Sequence, residues 1–160
     1  MRSRIAILIA VCLSAGAGAV ESFEQTAAGW SSTGGTISLS ADHFKLDTKS
    51  LRWDFAPGSV LSRAADDTLA ATLASRSGGV RLWLYCEQPI EGDLLFQAGR
   101  WAFHVRLSFT GWRAVWVVFA EDATEAEAVE GLRITAPDRA GTVFVDAVEI
   151  GDVPWYRQGD

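Results

Sequence analysis

Residues 109–119 read Phe-Thr-Gly-Trp-Arg-Ala-Val-Trp-Val-Val-Phe, and this stretch decides the fold class that we predict. It is rich in β-branched and aromatic residues, which favour a strand over a surface helix. Since both of its alternating residue sets contain large apolar side chains, we predict a central strand buried on nearly both faces, with Trp112 and Trp116 as packing units. Residues 100–109 also alternate and Thr110-Gly111 is a turn signal, so we expect the two segments to pair as antiparallel neighbours.

Apolar and polar residues alternate in the same way along most of the remaining chain. We predict further strands at residues 20–24, 36–40, 50–55, 80–86, 93–97, 132–134 and 142–150, with Pro57-Gly58 ending the third of these. Residues 59–75 contain alanines and leucines that suit a helix, but we predict a strand there because the surroundings are β. Thr124 and Glu127 fit a capping box, which predicts one or two helical turns within residues 121–130. About ten short strands separated by turns are typical of an all-β sandwich or jelly roll.

The first 19 residues have the pattern of a secretory signal peptide. Arg2 and Arg4 precede an apolar run at residues 5–13, and Ala17-Gly18-Ala19 fits a cleavage site. The run is shorter than the roughly 20 residues that span a bilayer, so a membrane anchor is the weaker interpretation. Cys12 leaves a lipoprotein as an alternative, although Val11 is a poor residue before an acylated cysteine. We therefore expect a secreted or periplasmic protein, in which residues 20–152 form one domain and residues 153–160 a tail or the start of a linker.

The charge of the chain limits its partners. The 160 residues carry a net charge of -6, and cleavage after residue 19 removes two arginines and no acid, which leaves -8. Diffuse attraction to nucleic acid or to an anionic membrane is therefore not expected. No nucleophile elbow, zinc motif or phosphate-binding glycine loop occurs, and His43 and His104 are the only histidines. We expect a monomeric chain that is not catalytic by itself.

Six motifs, in chain order, resemble the N-terminal domain of the chondroitin sulfate ABC lyase family. They are Phe23-Glu24, Ser50-Leu51-Arg52-Trp53-Asp54-Phe55, Leu84-Tyr85-Cys86-Glu87-Gln88-Pro89-Ile90, Phe109-Thr110-Gly111-Trp112-Arg113-Ala114-Val115, Arg133-Ile134-Thr135-Ala136-Pro137 and Phe144-Val145-Asp146. The resemblance covers essentially all of the mature chain. It implies a jelly-roll, galactose-binding-like β-sandwich similar to carbohydrate-binding modules, which precedes a catalytic helical domain in that family.

The resemblance also implies one structural calcium or sodium ion between the first strand, the early loop and the last strand. On the matching positions of this sequence, Asp146 and Glu24 would supply carboxylates, and Ser22 and Trp53 backbone carbonyls. Hard cations of this kind prefer such oxygen ligands. The alternative is that Glu24 and Asp146 are ordinary carboxylates at strand ends. The ion would stabilise the fold and take no part in catalysis.

A second set of residues is predicted to bind glycans. Aromatic rings stack on sugar faces, and arginine binds sulfate or carboxylate in a bidentate way. The candidates, each on the polar side of its strand, are Arg81, Trp83, Tyr85, Arg100, His104 and Arg106. If they form one surface, it could hold an acidic polysaccharide or dock onto a lyase catalytic domain.

These observations predict a secreted, non-catalytic carbohydrate-binding module associated with the degradation of chondroitin-type glycosaminoglycans. Two alternatives stay open from the sequence. One is the N-terminal part of a polysaccharide lyase whose β-elimination activity lies downstream. The other is a structural interaction domain that binds no glycan.

Overall fold

The structure is a computed structural model that describes residues 20–152, so the predicted signal peptide and the predicted tail lie outside the described residues. Two short helices interrupt a series of ten strands. In chain order the elements are β1 Val20–Glu21, β2 Trp30–Ser40, β3 Ser50–Arg63, α1 Asp67–Ala74, β4 Gly78–Cys86, β5 Asp93–Ala98, β6 Trp101–Arg106, β7 Gly111–Val118, α2 Phe119–Asp122, β8 Thr124–Glu125, β9 Leu132–Thr135 and β10 Gly141–Asp152.

Two antiparallel sheets share the long strand β3. The hydrogen-bonded order is β7-β4-β10-β3-β9-β5-β6-β8, with β1 beside β10 and β2 beside β3. Residues 51–55 of β3 pair with β10, whereas residues 60–63 pair with β9. We call β7, β4, β10 and the first half of β3 the front sheet, and the second half of β3 with β9, β5, β6 and β8 the back sheet. Side chains of both sheets join one apolar core cluster, so the predicted all-β sandwich is confirmed.

Pro57 lies inside β3, so the prediction that Pro57-Gly58 ends this strand is wrong. The ladder between β3 and β2 skips from Phe55 to Val60, which leaves the residues between them in a bulge. Proline has no N–H to donate and is tolerated at a bulge, where no ladder bond is needed. The Ser59 hydroxyl donates to the Gly34 carbonyl oxygen of β2 at 2.7 Å. The bulge is therefore the bend at which β3 passes from the front sheet to the back sheet.

The strand predicted over residues 59–75 is also wrong, because these residues finish β3 and then form α1. The carboxylate of Asp66 caps this helix by accepting a hydrogen bond from the Leu69 amide at 2.8 Å. Leu69 and Leu73 stand four residues apart on one helix face, and both are buried in the core. This local pattern outweighs the β context that favoured a strand.

The stretch that decided the fold class forms β7, and β7 lies at the edge of the front sheet instead of its centre. Val115 and Val117 face the core, whereas Trp116 on the other side is 51% exposed. The predicted burial on both faces is therefore wrong. The predicted pairing with residues 100–109 is wrong as well, since β6 pairs with β5 and β8, whereas β7 pairs with β4. The chain crosses between the two sheets from β6 to β7.

Only the last two residues of the single helical turn α2 fall within the acidic segment 121–130, and the predicted capping box does not start this turn. Thr124 belongs to β8, and its hydroxyl donates to the Ala102 carbonyl oxygen at 3.2 Å. The helix begins earlier, at Phe119, whose fully buried ring stacks on Trp101 at 6.0 Å between centroids. Burial of an aromatic ring therefore positions this turn, and no side chain caps it.

Candidate functional site

The outward face of the front sheet carries aromatic side chains on three adjacent strands. Each outward residue of β4 alternates with a buried core residue, so the predicted orientation of Arg81, Trp83 and Tyr85 is confirmed. The register of β7, β4 and β10 arranges the face in three rows: Trp112, Tyr85 and Phe144; Ala114, Trp83 and Asp146; Trp116, Arg81 and Glu149. We call Trp112, Ala114 and Trp116 the open half of this face, and Trp83, Tyr85 and Phe144 the covered half.

The loop formed by residues 41–49 lies over the covered half. The His43 imidazole stacks on the Tyr85 ring at 3.9 Å between centroids and meets the Phe144 ring edge-on at 4.8 Å. The Lys45 ammonium lies 4.2 Å from the centroid of a Trp83 ring. Phe144 has no exposed surface although it points away from the core. The loop therefore covers the faces of these rings, which a ligand could otherwise contact.

Asp146 fixes this loop to the sheet. One of its carboxylate oxygens accepts hydrogen bonds from the Lys45 amide at 2.6 Å and the Leu46 amide at 2.8 Å, and the other accepts from the Ala147 amide at 2.7 Å. Burial raises the pKa of Asp146, and these three amides act in the opposite direction. The charge of Glu24 raises the pKa of Asp146 further, so the two carboxylates are close enough to repel each other.

Glu24 fixes the end of the same loop. Its carboxylate accepts hydrogen bonds from the Thr48 amide at 2.9 Å and the Lys49 amide at 2.7 Å, and also from the Thr48 hydroxyl. The Thr48 hydroxyl is the main reason that the pKa of Glu24 lies below its ordinary value. The middle and the end of the loop are thus held by two acids that are far apart in the sequence.

The predicted cation fits this arrangement only in part. A carboxylate offers about four acceptor positions, and Asp146 and Glu24 each use three, which leaves one position on each for an ion that would relieve their repulsion. Ser22 lines the same open hollow as Glu24. Trp53 pairs with Val143, three residues before Asp146 and roughly 10 Å away along the strand, so it is not brought to the two acids. Residues 20–152 contain no group of three or more His, Cys, Asp or Glu arranged to hold a metal, and the calcium or sodium ion stays a prediction.

The open half is the part of this face that the sequence analysis missed. The sequence predicts Trp112 and Trp116 to be core residues, but they point outward from an edge strand with the small, exposed Ala114 between them. Four residues of strand place the two tryptophans roughly 13 Å apart. The large-small-large spacing leaves room for a flat ligand over Ala114. The shared parity of these three residues was visible in the sequence, but the position of β7 at an edge was not.

The arginines of this face are already engaged by carboxylates. Arg52 Nε donates to Asp54 at 2.9 Å, and this contact is the main reason that the pKa of Asp54 lies below its ordinary value. Arg81 forms an ion pair with Glu149. The exposed Asp42 lies 3.9 Å from Arg52 as well. The face therefore combines aromatic rings with ion pairs.

The predicted single glycan surface is wrong, because its six residues lie on two different sheets. Four strands separate β4 from β6 in the strand order, so Arg81, Trp83 and Tyr85 are not near the other three. His104 and Arg106 point outward from the back sheet and line an open groove, where Arg106 lies 3.6 Å from Asp93. Arg100 pairs with Glu125 of β8 at 3.0 Å. The back sheet therefore presents a separate polar surface.

Solved structures place this sandwich in a known class. The family 22 carbohydrate binding module of Clostridium thermocellum Xyn10B matches with a TM-score of 0.56 and 14% identity, over 88% of this chain and 97% of that module. A family 11 module of a C. thermocellum cellulase matches with a TM-score of 0.60 and 10% identity, over 86% and 96%. The fold is therefore the β-sandwich of carbohydrate-binding modules.

The sequence gives the family within this class. Residues 18–157 match the family described as "Lyase, N terminal", and the chain belongs to that family. A chondroitin sulfate ABC exolyase of Bacteroides thetaiotaomicron is 34% identical in an alignment of 123 residues, and the match covers 69% of this chain and 12% of the relative. The predicted resemblance is confirmed, and the chain spans only this small part of the relative. Within residues 20–152, no helix is both long and apolar enough to cross a membrane.

Proposed function

We propose that this chain is a secreted, non-catalytic carbohydrate-binding module that serves the degradation of glycosaminoglycans. The observation that supports a binding role best is the open half, where Trp112 and Trp116 flank Ala114 on an exposed sheet edge. Trp116 is exposed and Trp112 is half-buried, and apolar patches on the surface of soluble proteins often mark binding sites.

In this proposal a sugar ring lies over Ala114 and stacks against the flanking indole rings. Each indole would contribute by burying its large apolar face against the sugar ring. The neighbouring Arg81 and Glu149 offer hydrogen-bond donors and acceptors to the sugar hydroxyls. Trp83 and Tyr85 of the sequence prediction support the site from beneath the loop, and a cation at Glu24 and Asp146 would hold that loop in place.

The link to glycosaminoglycans comes from the family and from the name of the exolyase relative. We propose that the natural setting of this domain is beside a β-elimination activity that acts on chondroitin-type chains. Incubating the purified chain with chondroitin sulfate tests the non-catalytic part, since the unsaturated product of β-elimination absorbs ultraviolet light. We expect no change in absorbance, and a steady increase would contradict the proposal.

Affinity electrophoresis tests the binding role. The protein would be run through gels that contain chondroitin sulfate, hyaluronan or neutral polysaccharides, and we expect retardation in at least one of them. Trp116→Ala and Trp112→Ala should each weaken that binding about tenfold, which corresponds to about 1.4 kcal/mol. His104→Ala on the back sheet is the matched control and should bind like the wild type. Absence of retardation in every gel would favour a structural interaction domain.

A further inference from the structure

We infer that the aromatic face selects uncharged saccharides and disfavours sulfated or uronate-bearing chains. This inference rests on the proposed binding role and specifies the ligand class of the same site. It differs from the acidic polysaccharide that the sequence predicted from Arg81 and its neighbours. The module would then attach a glycosaminoglycan-degrading protein to neutral polysaccharide near its substrate.

The charges that the structure places on and around this face support the inference. Within residues 20–152, the cations that contact the rings and acids of this face are Arg52, Arg81 and Lys45. The exposed Arg113 of β7 pairs with the core residue Leu84 and therefore has the opposite parity. The carboxylates outnumber the three cations of the face, and they are Asp42, Asp54, Glu87, Asp146 and Glu149. A polyanion that approaches a face of net negative charge is repelled, and the acidic net charge of the whole chain adds to the repulsion.

The cations are also in poor positions to receive a sulfate or a carboxylate. Arg52 donates through two nitrogens to Asp54, so a sulfate would have to displace an existing ion pair. Arg81 donates to Glu149 through Nη2, and the Lys45 ammonium lies against the Trp83 ring. Breaking such a pair leaves its carboxylate beside the incoming anion. An anionic ligand therefore gains little from these three cations.

The exposed carboxylates match a neutral sugar instead. Ionised Asp and Glu only accept hydrogen bonds, and the hydroxyls of a sugar can donate to them. Sulfate and uronate groups, like the carboxylates, only accept hydrogen bonds, so they cannot pair with these side chains. Asp42 and Glu87 are well exposed at the rim of the face, with 68% and 63% of their side-chain surface accessible. Indole rings stack on the apolar side of a pyranose. When the pyranose is uncharged, no cation of the protein is needed beside it. The indole rings and the carboxylates at the edge of the face thus both favour an uncharged sugar.

Ligands that differ only in charge test this inference. Chondroitin sulfate, its chemically desulfated form, and the desulfated polymer with reduced carboxyl groups would be titrated beside xylan, mixed-linkage β-glucan and agarose. We expect at least one neutral polymer to bind tenfold or more tightly than chondroitin sulfate at about 0.01 M salt, where charge effects reach farthest. We also expect the neutral complex to weaken less than twofold when salt is raised to about 0.5 M.

Charge variants sharpen the test. Glu87→Gln and Asp42→Asn together should improve binding of chondroitin sulfate several-fold, because they remove two of the rim carboxylates. Glu91→Gln, an exposed acid of the back-sheet groove, is the matched control and should leave binding unchanged. Tighter binding of chondroitin sulfate than of every neutral polymer would overturn the inference while leaving the proposed function intact. Failure to bind any of the polymers would overturn both.

Discussion

The covered half and the open half belong to one face, yet their aromatic rings have opposite environments. Phe144 is fully enclosed by His43, Tyr85 and Arg52, whereas Trp116, two strands away, is 51% exposed. Both residues have the parity that points away from the core. The difference arises from the loop of residues 41–49, whose ring contacts are with Tyr85 and Trp83 of β4 and with Phe144 of β10.

This difference shows that sheet parity alone does not define a binding surface. The available surface is the part of an outward face that the chain does not cover with its own loops. Here the cover is held by the carboxylates of Glu24 and Asp146, which accept hydrogen bonds from four backbone amides of the loop. Substitution of Glu24 or Asp146 should therefore change how much of the face the loop covers, whereas substitutions in the open half should leave the loop in place.

The largest expected contrast is in the free energy of unfolding. Phe144→Ala should cost about 3–5 kcal/mol, because it empties a fully enclosed site, whereas Trp116→Ala should cost less than about 1 kcal/mol. Urea denaturation of the two variants beside the wild type measures this contrast. A loss as large for Trp116→Ala as for Phe144→Ala would mean that the open half is packed in the protein.

The next contrast concerns the attachment of the loop. Asp146→Asn should cost about 2–3 kcal/mol, because an amide group brings N–H donors to a site that faces three backbone N–H groups. Hydrogen exchange at Lys45 and Leu46 should accelerate, while the amides of β7 keep their protection. Glu87→Gln, which alters an exposed partner of His43, serves as the control and should leave exchange at Lys45 unchanged.

Asp146 also predicts a dependence on pH. Its pKa is raised in the folded protein, so the folded state holds the proton more tightly than the unfolded chain. Stability should therefore decline as pH rises from the ordinary value of 3.8 to the raised value, and this decline should be absent in Asp146→Asn. Urea midpoints between these pH values measure it. An increase of stability attributable to Asp146 in that window would contradict the environment described for this carboxylate.

A smaller effect is expected from removing a cation. If calcium or sodium binds between Glu24 and Asp146, chelation and sodium-free buffer should lower Tm by roughly 2–4 °C per kcal/mol of stabilisation lost, and calcium or sodium should restore it. Glu24→Gln should melt at the same temperature with and without the ion. Unchanged melting of the wild type, with no metal found by elemental analysis, would remove the ion from the description of this loop.

The smallest effect is expected at the rim of the covered half. Arg52 lowers the pKa of Asp54, so the stability this contact provides is present above 3.8 and is lost as pH falls through the lowered value. The contribution should stay below about 1 kcal/mol because both side chains are more than a third exposed. In Asp54→Asn the free energy of unfolding should decrease less as pH falls than it does in the wild type. Thr142→Val, which removes a second hydrogen bond to Asp54, should have the same effect to a smaller extent.

The sequence predicted those features that depend on neighbouring residues. Alternation located β4, β5 and β10 and gave the correct outward parity for Trp83 and Tyr85. The motifs that include Phe109–Val115 led to the right family even though the burial inferred for that stretch was wrong. A residue pattern reports which side chains share a face, and this information is local.

The features that the sequence could not predict depend on residues far apart in the chain. Nothing near Trp112 shows that β7 has a single neighbour, since the strand order is set by the pairing of distant strands. The cover over Phe144 depends on a hydrogen bond between Lys45 and Asp146, which are 101 residues apart. Helix α1 is the exception, because its signals, the Asp66 cap and the spacing of Leu69 and Leu73, are local.

The position of β10 has a consequence for how this chain is made. It is the last strand described, yet it lies between β4 and β3 in the front sheet. As a ribosome extends the chain, β2 can pair with β3 and β4 with β7, but nothing links these two pairs until residues 141–152 emerge. A nascent chain stopped before residue 141 therefore holds the β4–β7 pair apart from the sheet that contains β2 and β3, and the front sheet closes only when residues 141–152 have emerged.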